Sequence, residues 1–95
     1  MKSYEGMFVL APELDEGALE KLTGNLKDVI TKHNGSVERT ENLGKRQFAY
    51  RLKKKNEGIY LLAYFRAEPA SISKLEAVYR LNESVLRTLI IKRGE

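Results

Sequence analysis

Between Lys45 and Lys55 the chain reads KRQFAYRLKKK. Lys45, Arg46, Arg51, Lys53, Lys54 and Lys55 are basic, none of the eleven residues is acidic, and Phe48 and Tyr50 are interleaved. Lysine and arginine bind phosphate oxygens with little sequence preference, and their reach from a hairpin suits an RNA groove. The same composition also serves a solvated strand edge, where lysines discourage edge-to-edge pairing. Composition leaves both readings open.

A second group lies near the end of the chain: Arg87, Lys92 and Arg93. Arg87 interrupts an apolar run, so it must face solvent or a partner. Ordinary edge charges give the same pattern. A third candidate is the set Met7, Val9, Tyr60, Leu62 and Tyr64, which alternation puts on one strand face. RNA-recognition modules stack bases on aromatic rings of such a face. Ile59 to Arg66 lacks their Gly-aromatic-Gly-Phe motif, so this face suits a protein partner or completes a small core.

Other chemistry finds little to work with. Cysteine is absent and His33 is the single histidine. That removes disulfides, thiolate metal sites, cysteine nucleophiles and a histidine-rich metal site. A phosphate-cradling loop after the first strand would need glycine or arginine, whereas Ala11-Pro12-Glu13-Leu14-Asp15 is acidic. Asp15 and Glu16 are explained by a helix start, and Glu38 and Glu41 balance the nearby basic charge. The expectation is therefore no enzyme, no cofactor, no metal and no small-molecule substrate.

The elements that position these residues follow from periodicity. Tyr4 to Ala11 reads as a strand, with Tyr4, Gly6, Phe8 and Leu10 on one face and Met7 and Val9 on the other. Pro12 ends it. Asp15 is a good N-cap, and Leu19, Leu22, Leu26, Val29 and Ile30 recur at helical spacing. Lys32 and His33 suit the last turn, and Gly35 can take a left-handed exit. Ser36 to Leu52 is extended, interrupted by a bulge or bend at Asn42-Leu43-Gly44. Lys53 to Gly58 reads as a long, polar hairpin loop. Ile59 to Ala67 is apolar on both faces, as a central strand would be. Pro69 fits the first turn of a helix carrying Ile72, Leu75, Val78 and Tyr79, closed by Asn82. Val85 to Lys92 is a fourth strand.

The order strand–helix–strand–strand–helix–strand, with right-handed crossovers, predicts an α+β, ferredoxin-like βαββαβ fold. It has a four-stranded antiparallel sheet with both helices on one face. The 95 residues form one expected domain, 1–95, with 42% hydrophobic and 32% charged residues. No run of about 18 apolar residues exists to span a membrane. The N-terminus lacks a signal-peptide apolar block, so the expected location is the cytosol. A net charge of +4 and a pI of 9.4 favour polyanionic partners.

The matches then become specific. Tyr4-Glu5-Gly6-Met7-Phe8-Val9-Leu10-Ala11-Pro12 resembles the first strand of the sixth-protein family of the bacterial small ribosomal subunit. Gly44-Lys45-Arg46-Gln47-Phe48-Ala49-Tyr50-Arg51-Leu52 is similar to that family's signature, Gly-x-Arg/Lys-x-Leu-Ala-Tyr-x-Ile, with Phe48 and Leu52 as conservative departures. Arg80-Leu81-Asn82-Glu83-Ser84-Val85-Leu86-Arg87, followed by Ile90-Ile91-Lys92, resembles the family's approach to its last strand. Many members carry a longer, charged C-terminal tail, whereas this chain ends at Glu95.

The resemblance implies a structural constituent of the small ribosomal subunit with a ferredoxin-like fold. It implies two partners: the central domain of small-subunit ribosomal RNA, and the eighteenth small-subunit protein. By position, Lys2, Tyr4, Arg46, Tyr50 and Arg87 match places where the family presents basic or aromatic groups. Charge adds Lys45, Arg51, Lys53, Lys54, Lys55, Lys92 and Arg93 as RNA- or partner-binding candidates. The alternatives are a protein-binding regulatory domain of the same fold without an RNA role, and an acylphosphatase-like enzyme, which the acidic first loop disfavours.

Overall fold

The computed structural model describes residues 1–94, so Glu95, the last residue of the expected domain, lies outside the described residues. Four strands and two helices follow the expected order: β1 (Lys2–Leu10), α1 (Glu16–Lys32), β2 (Ser36–Leu52), β3 (Lys55–Ala67), α2 (Ile72–Arg80) and β4 (Val85–Lys92). The sheet order is β2-β3-β1-β4, with every neighbouring pair antiparallel. Each helix joins two strands that are not neighbours, so each acts as a crossover. This is the ferredoxin-like arrangement.

Side-chain alternation decides which face the helices cover. Tyr4, Phe8 and Leu10 of β1 and Ile59, Leu61, Ala63 and Phe65 of β3 point to one side. There they meet Leu22, Leu26 and Ile30 of α1 and Leu75 and Tyr79 of α2 in one core. Phe8 and Phe65 are fully buried, and each such side chain stabilises the fold by about 2–3 kcal/mol through burial. Tyr79 meets Phe8 edge-to-face at 4.8 Å. Its hydroxyl donates to the Leu26 carbonyl at 2.7 Å and so ties α2 to α1 inside the core.

Local signals set the element ends. The Asp15 carboxylate accepts from the Ala18 amide at 2.8 Å and caps α1. The exit of α1 differs from expectation. Asn34, not Gly35, takes the left-handed conformation, with φ of 64°, as asparagine tolerates. Gly35 is small for another reason: a Cβ there would sit 2.7 Å from Ile30 Cγ2 and 2.9 Å from the Arg66 carbonyl oxygen. Pro69 opens a 3-10 turn, Pro69–Ser71, and the α-helix proper begins at Ile72. Within α2, Val78 is 39% exposed rather than in the core.

The hairpin between β2 and β3 departs most from the sequence reading. No long loop exists. Lys53 and Lys54 form a two-residue turn with φ of 48° and 67°, and Leu52 pairs directly with Lys55. Two consecutive positive φ values are the mark of a type I′ hairpin turn, whose twist matches the flanking strands. The usual Asn-Gly signal is missing, which is why a Lys-Lys pair read as loop. β3 accordingly starts at Lys55 and not at Ile59.

Candidate nucleic-acid interface

The helix-free face of the sheet is fixed by cross-strand register. Val9 pairs with Tyr60 and Met7 with Leu62, and on the other side Val9 pairs with Arg87 and Met7 with Leu89. Directly opposed residues share a face. β2 joins the same face through Arg39, opposite Tyr64, and Arg46, opposite Gly58. Seven positions separate these two arginines, an odd number, so an unbroken strand would turn them to opposite sides. A register shift between Asn42 and Gly44 corrects the parity. Gly44 has φ of 87°, and its amide donates to Asn42 Oδ1 at 2.7 Å, which holds the bulge expected from Asn42-Leu43-Gly44.

Arginine and tyrosine interlock on this face. The Arg39 and Arg93 guanidinium carbons stand 4.0 and 5.1 Å from the Tyr64 ring centroid, and that of Arg46 stands 5.9 Å from Tyr60. These are cation–π distances. Arg39 is also paired with Glu41, and Arg93 reaches Glu38 at 3.5 Å. The hydrogen bond to Glu41 raises the pKa of the Arg39 guanidinium further. Glu38 and Glu41 thus balance local charge, as the sequence suggested. Leu89 and Ile91 lie beside this array and remain 45% and 52% exposed.

The candidate residues separate into two groups. At the hairpin end, Tyr50 and Arg87 line one shallow hollow with Phe48, Leu52 and Tyr60. Tyr50 is 71% exposed, and Arg46, Arg51, Lys53 and Lys54 are also exposed. Lys45 is exposed too, but it pairs with Ile59 and so points to the helix side. At the opposite end, Lys2, Lys92 and Arg93 line a depression between the start of β1 and the end of β4. The step from Arg87 to Lys92 along β4 spans roughly 17 Å.

Two groups of candidates need correction. Tyr4 is not on the surface. It is 6% exposed, belongs to the core and stacks on Phe65 at 5.7 Å, because it shares the face of Phe8 and Leu10. Lys53, Lys54 and Lys55 do not share the long polar loop expected of them. Lys53 Nζ donates to the Val85 carbonyl at 3.0 Å, and Lys55 pairs with Glu13 at 3.0 Å. Only Lys54 of the three has no such contact among the described residues.

Sequence reasoning missed Arg39 and the double stacking on Tyr64. Counting the bulge into the parity of β2 would have found Arg39. The acidic first loop has a structural explanation: Glu13 meets Lys55 and Asp15 caps α1. The His33 Nδ1–H donates to the Val29 carbonyl at 2.8 Å, at the end of α1.

Fold and site define a small ferredoxin-like domain with one basic, aromatic sheet face. Its sequence matches the family described as Ribosomal protein S6 over residues 3–92, and the chain belongs to that family. The "Small ribosomal subunit protein bS6" of Helicobacter pylori strain G27 is 47% identical over 92 residues, covering 97% of this chain and 65% of that protein. The protein of the same name from Bifidobacterium longum is 44% identical, covering 96% of this chain and 94% of that one. A crystal structure of 30S ribosomal protein S6 from Thermotoga maritima matches with a TM-score of 0.88 and 35% identity, covering 97% of this chain and 87% of that one. The chain therefore spans about two thirds of the length of its Helicobacter relatives, 65%. The family is one of ribosomal proteins.

Proposed function

We propose that the protein is a structural constituent of the bacterial small ribosomal subunit, acting in the cytoplasm. It binds the central domain of small-subunit ribosomal RNA jointly with the eighteenth small-subunit protein and so supports assembly and translation. The observation that carries this reading is the helix-free face, on which Arg46, Arg87 and Arg93 accompany Tyr60 and Tyr64 in a chain of this family. Guanidinium groups held over aromatic rings are fixed in direction, so they meet phosphate oxygens with little further loss of freedom. Lys2, Lys45, Tyr50, Arg51, Lys54 and Lys92 supply additional contacts in this scheme.

The exposed Leu89 and Ile91 on the same face support a protein partner there. They favour the joint surface with the eighteenth protein, and they also suit the rival reading, a protein-binding regulatory domain with no RNA role. A salt titration of RNA binding separates the two. The isolated chain should bind RNA weakly and lose affinity steeply with salt, and the partner protein should raise the affinity by enlarging the surface. Binding that ignores salt, or that the partner leaves unchanged, contradicts the proposal.

A further inference from the structure

The exit of α1 carries Asn34-Gly35, the chain's single asparagine followed by glycine. The backbone nitrogen after an asparagine is placed to attack that side chain's Cγ, and glycine, having no Cβ, leaves the approach open. Asn34 is exposed and left-handed, with φ of 64°. The attacking nitrogen, however, is engaged. The Gly35 amide donates to the Ile30 carbonyl at 2.9 Å, and the Asn34 amide to the Thr31 carbonyl at 3.0 Å. These two bonds make the Schellman motif that closes a helix. Close packing against Ile30 and the Arg66 carbonyl holds Gly35 in place. The bond from His33 Nδ1 to the Val29 carbonyl, 2.8 Å long, adds a third tie.

We propose that Asn34 is a self-modification site, deamidating to aspartate and isoaspartate whenever the exit of α1 opens, with the closed exit as its guard. Once released from the Ile30 carbonyl, the Gly35 nitrogen gives up its proton and attacks Asn34 Cγ. A new N–Cγ bond closes a cyclic imide, the Cγ–Nδ2 bond breaks, and Nδ2 leaves as ammonia with that proton. Water, the one co-reactant, then adds to either imide carbonyl. Breaking the N–Cγ bond restores the normal backbone with an aspartate side chain. Breaking the bond from the nitrogen to the Asn34 backbone carbonyl carbon routes the chain through the side chain, as isoaspartate. Neither product suits the exit. A carboxylate there meets the partial negative charge at the end of α1. Isoaspartate also lengthens the backbone by a methylene, which displaces the Gly35 amide from the Ile30 carbonyl. Opening a helix end takes far less free energy than global unfolding, so the folded chain ages from this one point. No partner is needed, and the site is independent of the RNA-binding reading.

The test incubates the full chain beside a synthetic peptide of residues 33–39 in the same neutral buffer at physiological temperature. Trypsin releases the same segment, His33 to Arg39, from the chain. Mass spectrometry reads the acidic product, and an isoaspartyl methyltransferase tags the isoaspartate. The peptide has no helix to guard it and gives the unguarded rate. The chain should convert at Asn34 before Asn25, Asn42, Asn56 or Asn82, and roughly ten- to a thousandfold more slowly than the peptide. His33→Ala loosens the exit and leaves the dipeptide intact. It should speed conversion of the chain about three- to tenfold and leave the matching peptide unchanged. Thermal unfolding verifies that this variant is folded, and dilute urea below the unfolding transition should speed the wild-type chain in the same way. Asn34→Gly, which keeps the positive φ, should abolish the product. The isoaspartate form should lose the hydrogen-exchange protection of the Gly35 amide. Conversion of the chain at the peptide's rate overturns the guard. The proposal also fails if neither His33→Ala nor dilute urea speeds conversion, if another asparagine converts first, or if the Gly35 amide stays protected in the isoaspartate form.

Discussion

Lys54 stands at a turn position where a side chain is a burden. Its φ is 67°, and Lys53 before it has φ of 48°. An L-residue in this left-handed region costs about 1–2 kcal/mol. Glycine adopts it freely, but a glycine also gives the unfolded chain about 0.5–1 kcal/mol more entropy. The side chain of Lys54 has no hydrogen bond or ion pair among the described residues, so nothing else is lost. Lys54→Gly should therefore stabilise the fold by about 0.5–1 kcal/mol, which raises Tm by about 2–8 °C in a domain of this size. Lys54→Asn, which tolerates the same conformation, should stabilise by a smaller amount. Thermal unfolding followed by circular dichroism reads both. The same substitutions should lower the salt slope of RNA binding by about 0.7–0.9, the share of one phosphate contact. A gain in stability with a loss in binding would mean that the cation is kept at the turn for its partner. A fall in Tm for Lys54→Gly would refute the reasoning, because a residue that is not left-handed gains nothing from glycine.

Arg46→Ala and Arg87→Ala should each weaken the complex with RNA and partner by about 1 kcal/mol or somewhat more; if single substitutions at Lys53, Lys54 or Lys55 weigh more in the same titrations, the strand face is not the RNA-facing element. Tyr79→Phe removes the second hydrogen bond to the Leu26 carbonyl, which keeps its helical partner inside α1, and should cost about 1 kcal/mol in chemical denaturation. Burial raises the Tyr79 pKa above its ordinary value of 10.0, so its contribution is fully present below pH 10 and is lost as pH rises from there towards the raised value. Stability should consequently fall in strong alkali, and less so in Tyr79→Phe; equal alkaline sensitivity would assign the loss to other groups. Asp15→Ala removes the cap on the Ala18 amide and should destabilise by about 1 kcal/mol, read as a shift in denaturant midpoint.

Where a local rule acts alone, the fold was legible. Asp15 and the leucine stripe of α1 specify that helix within a few turns, and β2 and β4 begin and end where alternation put them. The strand order followed from handedness rules that leave few alternatives. The hairpin was not legible, because Lys53-Lys54 lacks the residues that announce positive φ. Tyr4 was misassigned for a different reason: its likeness to the family identified a position, and only the parity with Phe8 tells that the ring turns inward. The pairing of Arg39 and Arg93 over Tyr64 needs both the bulges of β2 and the neighbourhood of strands far apart in sequence, which no local pattern contains.

β1 lies inside the sheet, paired with β3 on one side and with β4 on the other, and Tyr4 stands opposite Lys92. The strand made first on the ribosome is therefore completed last. While translation proceeds, β1 has no hydrogen-bonding neighbour until β3 emerges, and its second edge stays bare until β4 has left the exit tunnel. Helix α1 can form early from its own cap and spacing, but its apolar stripe has only a partial sheet to cover. Long-range pairing of this kind slows folding, since loop closure must precede the contacts that reward it. A nascent chain stalled before Val85 would expose a hydrophobic strand edge to chaperones, and release of the finished chain would close the sheet in one cooperative step.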